Sequence, residues 1–77
     1  MYSELILFLD QAVWDAARVE VTTKDGVVFT GVSAGDDQGE DDLGWCFKNV
    51  EGWPYDIICI KDIATVRRID TNEKLVA

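Results

Sequence analysis

Acids outnumber every other chemically capable group in this chain. Five of them, Asp36, Asp37, Glu40, Asp41 and Asp42, fall within seven residues. Such a run suggests a divalent cation, and the template to match is a calcium-binding loop. With Gly39 as the sixth-position glycine, the first ligand position falls on Ala34, and the register fails. No metal or cofactor is implied. Cys46 and Cys59 are the only thiols, and the chain has no histidine. Neither cysteine therefore has the base that a nucleophilic thiol requires, and their spacing does not match a paired zinc motif. No glycine-rich phosphate loop is present, and nothing places two carboxylates in one apolar pocket. The sequence does not read as an enzyme.

A chain of 77 residues allows one domain, with a core that buries about 60% of the unfolded surface. Oligomerisation is one way for so small a core to gain stability. The net charge is −8, and without the acidic run it is −3. Such a chain does not attract nucleic acid by bulk electrostatics, so RNA binding would need a local basic rim at Lys61, Arg67 and Arg68. The N-terminus lacks the basic region of a signal peptide, and Leu5–Leu9 is too short to span a bilayer. The expectation is a cytoplasmic protein with free thiols and no membrane association.

The pattern predicts a helix over residues 1–17, a five-stranded body over 18–70 and a fraying tail over 71–77. Ser3 is the expected N-cap. Leu5, Phe8, Leu9, Ala12 and Ala16 fall on one helical face, widened by Ile6, Val13 and Trp14. Arg18–Thr23 and Val27–Ser33 read as a hairpin around a two-residue Asp25-Gly26 type I′ turn. Gly31 inside the second strand marks a bend or a close backbone approach. Residues 34–42 read as a solvated loop, Leu43–Val50 as the third strand, Tyr55–Ile60 as the fourth and Ile63–Ile69 as the fifth. Trp14, Trp45, Trp53 and Tyr55 suit either a base-stacking platform or core and interface packing. Cys46 and Cys59 are placed to face each other across the third and fourth strands.

A helix followed by five short strands with a bent second strand resembles the Sm-like (LSm) family of small SH3-like barrels. Asp25-Gly26-Val27-Val28-Phe29-Thr30-Gly31, with Asp37 six residues on, is similar to that family's first motif. Ile60-Lys61-Asp62-Ile63-Ala64-Thr65-Val66 stands in place of the second, with Lys61 kept and Asp62 at the histidine of the bacterial RNA-chaperone branch. The resemblance implies a mainly β fold: an N-terminal α-helix and a five-stranded, strongly bent antiparallel SH3-like barrel. It also implies a homo-oligomeric ring of five to seven subunits joined through the fourth and fifth strands, here Ile58, Ile60, Ala64 and Val66. Asp37, Lys61 and Asp62 take the family's RNA-binding positions, with single-stranded RNA as partner. The family's stacking residue and asparagine fall on Asp42 and Gly44, which supply neither a π face nor a base-edge donor–acceptor pair. Two functions follow: a ring-forming RNA-binding or scaffolding protein, or a protein-interaction module of the same fold whose acidic loop meets a basic protein. A third reading, from charge alone, is an acidic mimic of nucleic acid.

Overall fold

Leu5, Leu9 and Ala12 are spaced to bury one stripe of a helix. The computed structural model, which describes residues 2–38 and 43–77, forms helix α1 over Ser3–Trp14 and buries these three side chains. Ile6, Phe8 and Val13 pack partly against the same core. Trp14 does not join them and is 81% exposed. Nine residues beyond Leu5, at about 100° per residue, it lies half a turn from the buried stripe. The helix stops three residues short of the expected end. Ala16 takes a left-handed φ of 49°, and the Ala17 N–H donates to the Ala12 carbonyl at 2.8 Å. Ser3 is the first helical residue rather than the cap; Tyr2 precedes it and makes no side-chain capping bond.

Strand β1 (Arg18–Thr23) enters the hairpin directly. The turn differs from the two-residue type I′ expectation. The Thr23 N–H donates to the Val27 carbonyl, so the loop is Lys24-Asp25-Gly26. Gly26 donates to the Thr23 carbonyl at 3.0 Å with φ of 93°, whereas Asp25 keeps an ordinary negative φ. This is the three-residue arrangement of a turn followed by a left-handed glycine. Thr23 selects it: its buried hydroxyl accepts from the Val27 N–H at 3.0 Å and donates to the Asp25 carboxylate.

Strand β2 (Val28–Gln38) continues well past Ser33, through Asp36 and Asp37, to meet β3 (Leu43–Glu51). The expected loop at 34–42 is thus a strand as far as Gln38; residues 39–42 lie outside the described part. Exposed carboxylates are compatible with a strand because Asp36 and Asp37 are solvated. The β2–β3 ladder shifts register twice, between Thr30 and Val32 and between Ser33 and Gly35. Asn49, in the first irregularity, has φ of 53°. Such bulges bend and twist a ribbon. Gly31 sits at the first one in close approach to β3. A Cβ there would lie 3.1 Å from the Phe47 Cβ, 3.2 Å from a Val50 methyl and 3.3 Å from the Lys48 carbonyl.

Strand β4 (Ile57–Cys59) is followed by a 3-10 turn (Ile60–Asp62) and by β5 (Ile63–Arg68). The expected tail is not frayed: Lys74–Val76 forms β6, antiparallel to β5. The sheet therefore has six strands, not five, in the order β4-β3-β2-β1-β5-β6. It is not a closed barrel, because no ladder joins β4 to β5 or β6 among the described residues. Its core holds Val19, Val21, Phe29, Trp45, Ile60, Ile63 and Val66 beneath α1. Ser33 is the polar tie between layers. Its buried hydroxyl donates to the Leu9 carbonyl and accepts the Trp45 indole N–H, each at 2.8 Å.

Two substitutions test these constraints in chemical denaturation. Gly31→Val should lower unfolding free energy by about 1–3 kcal/mol, the usual range for overpacking. Ser33→Ala should cost about 1–3 kcal/mol, because it leaves the buried Trp45 N–H without its acceptor. An unchanged midpoint in either variant would contradict the corresponding packing.

Candidate functional site

The hairpin loop and the 3-10 turn come together because β1 and β5 are neighbours, with Thr23 opposite Ile63. The Lys24 N–H donates to the Asp62 carbonyl at 2.9 Å and fixes the two segments. Between them lies a concavity of about 290 Å³ lined by Thr23, Lys24, Asp25, Trp53, Ile58 and Asp62. Trp53 forms its aromatic wall. The ring stacks on Phe29 with centroids 5.4 Å apart and planes 23° apart. Its indole N–H reaches the Ile57 carbonyl at 3.3 Å, and Tyr55 meets it edge-on at 5.8 Å. Asp25 and Asp62 supply two carboxylates against the single ammonium of Lys24. Asp62 has no side-chain donor among the described residues, whereas Asp25 accepts from Thr23. An apolar wall with excess negative charge can hold an aliphatic stem ending in a cation.

The residues expected from the sequence are separated by this geometry. Asp62 lines the Trp53 concavity, but the adjacent Lys61 lines a different one, of about 190 Å³, with Tyr2, Leu43 and Ile60. Asp37 lies in β2 opposite Gly44 and is exposed. The aromatics form no single platform: Trp45 is buried, Trp14 is exposed and only Trp53 and Tyr55 touch. The expected interface residues Ile58, Ile60 and Val66 are buried within this one chain, and Ala64 is half-buried. The edge of β5 carries β6, with Val66 opposite Leu75 and the Ala77 N–H donating to the Ala64 carbonyl.

The basic rim is not assembled either. Arg68 is only 8% exposed and binds Asp70 at 2.6 and 3.0 Å and Asp15 at 2.7 Å. Arg67 reaches the Glu20 carboxylate at 3.3 Å and the Asn72 amide oxygen at 3.0 Å. Arg18 binds the Thr30 hydroxyl at 2.9 Å and lies 3.5 Å from Glu51. The cysteines do not face each other. Cys46 is opposite Ile57 and Cys59 opposite Gly44, a diagonal relation of about 7–8 Å that exceeds ordinary disulfide spans. Burial, followed by the nearby Asp37, Asp56 and Asp36 carboxylates, pushes the Cys46 thiol up, away from its nucleophilic form. Among the described residues no cluster of three potential ligands could hold a metal ion, and no helix is long and apolar enough to cross a membrane.

Comparison with family models, curated proteins and solved structures finds no match. Sequence reasoning singled out Asp62 and Trp53 separately and missed Thr23, Lys24 and Asp25 as their neighbours. No local signal carries that adjacency, because it arises from β1 pairing with β5 some forty residues later.

The Arg68 cluster yields a pH prediction. Its guanidinium holds the Asp15 and Asp70 carboxyls below the usual carboxylate range, chiefly through side-chain hydrogen bonds. A carboxyl lowered on folding contributes stability above its unfolded value, about 4, and loses it as pH falls through the folded value. Arg68→Met should therefore melt below the parent chain at pH 7, with the difference shrinking below about pH 4. A difference independent of pH would show that the ion pairs contribute nothing.

Proposed function

We propose that this chain is a non-catalytic protein-interaction module, built on an open, curled variant of the SH3-like barrel of the Sm-like type, that takes a basic segment of a partner protein at the Trp53–Asp62 concavity. The observation that carries this reading is the distribution of charge. Arg18, Arg67 and Arg68 are each paired with acids of the same chain, while the concavity sets two carboxylates beside an aromatic wall. A phosphate backbone would meet excess negative charge here; a lysine or arginine side chain would meet its complement. The barrel assignment is supported by the five-strand order β4-β3-β2-β1-β5 together with the three-residue link between β4 and β5.

A second reading is a homo-oligomeric ring of five to seven subunits that binds single-stranded RNA at Asp37, Lys61 and Asp62. The same strand order favours it. Pairing of β4 with a neighbour's β5 would first require β6 to leave the β5 edge. Light scattering separates the two, since the ring has five to seven times the 8.6 kDa chain mass.

The binding test uses labelled nona-arginine, oligo-U and oligo-A in a salt series. The peptide should bind with salt-sensitive affinity, and Asp62→Lys should weaken it about ten-fold, or about 1.4 kcal/mol. Binding of oligo-U at low salt without peptide binding would reject this function in favour of the RNA reading.

A further inference from the structure

Helix α1 buries Leu5, Leu9 and Ala12, and its opposite face is not polar throughout. Leu7 is 67% exposed and Trp14 81% exposed. These residues are seven apart, so they share a side of the helix about 10 Å from each other, directly away from the buried stripe. Asp10 and Glu4 lie on opposite flanks of this Leu7–Trp14 ridge by helical position. Neither carboxylate has a side-chain partner among the described residues. An exposed tryptophan is a large apolar surface with one polar edge, the side chain most often found as an anchor in protein interfaces.

Charge decides what can cover this ridge. α1 contains acids and no lysine or arginine. A second copy docked helix to helix would bring only like charges together, in either orientation. Anionic membrane surfaces meet the same repulsion, and amphipathic helices that lie on membranes carry lysine and arginine on their polar faces. An apolar protein surface edged by basic residues meets complementary charge on both flanks.

We propose that the outer face of α1 is a docking surface for a basic amphipathic helix of a partner protein, with Leu7 and Trp14 as apolar anchors and Glu4 and Asp10 as the flanking carboxylates. This rests on the reading of the chain as a protein-interaction module, but it uses residues apart from the Trp53–Asp62 concavity. The two surfaces can therefore fail independently.

The probe is a dye-labelled amphipathic peptide of leucine and lysine, compared with its leucine and glutamate counterpart by fluorescence anisotropy. The lysine peptide should bind saturably and the glutamate peptide should not. In the Asp62→Lys background, which removes the charge complement of the concavity, Trp14→Ala should still weaken binding about ten-fold, as should Glu4→Lys with Asp10→Lys. Circular dichroism and melting should be unchanged in Trp14→Ala, because the side chain is outside the core. Binding unaffected by Trp14→Ala overturns the proposal, as does absence of binding. Loss confined to Asp62→Lys overturns it while leaving the concavity reading intact. A Trp14-dependent dimer, or Trp14-dependent binding to vesicles of mixed neutral and anionic phospholipid, assigns the ridge to another occupant and also overturns it.

Discussion

The three-residue link from Ile60 to Asp62 is the constraint on which the rest of the fold depends. It joins β4, at one edge of the sheet, to β5, four positions away in the strand order. In a flat sheet those strands would stand about 19 Å apart. A 3-10 turn rises about 2 Å per residue, so this link covers much less. The sheet has to curl until its ends approach. The two register shifts between β2 and β3 provide the bend, and Gly31 removes the Cβ that would otherwise hold the strands apart at one of them. Ile60, the first residue of the link, and Ile63, the residue just after it, are fully buried because the curl wraps the sheet around them.

Curling leaves one end of the core to be covered by α1, and two polar clusters fix how it sits. Ser33 binds the Leu9 carbonyl and receives the Trp45 indole, so one hydroxyl couples helix, β2 and β3. Just past the C-terminal end of α1, Asp15 reaches Arg68 on β5. These bonds are directional, whereas apolar packing alone tolerates sliding. The helix is thereby held with Leu7 and Trp14 outward.

The Asp-Gly hairpin, the apolar stripe of α1 and the alternating third strand were legible because each depends on nearby residues. The hairpin's turn type was not, since Thr23 decides it through its own hydroxyl. The acidic run hid the second half of β2: charge marks solvation, and an outward strand position is as solvated as a loop. Lys74–Val76 is too short to show a period; its strand exists because β5 offers an unpaired edge. Trp14 was misplaced by counting apolar residues without fixing their angle on the helix. Asp62 was legible as a candidate residue, but its closeness to Lys24 and its separation from Lys61's concavity depend on tertiary pairing.

The same tertiary pairing changes the meaning of the net charge. By composition alone, three arginines offer cationic contacts. In the folded chain they brace β1 to β3, β1 to β5, and β5 to α1, each against an acid. Their charge is locally neutralised, so the remaining acids dominate the outward field. For the basic partner proposed above, that field would be screened beyond about 8 Å at physiological salt and would favour encounter more than residence. Residence requires apolar contact. The Trp53 wall and the Leu7–Trp14 ridge both supply it beside carboxylates. A partner combining aliphatic surface with cations satisfies both requirements, whereas a bare phosphate backbone satisfies neither.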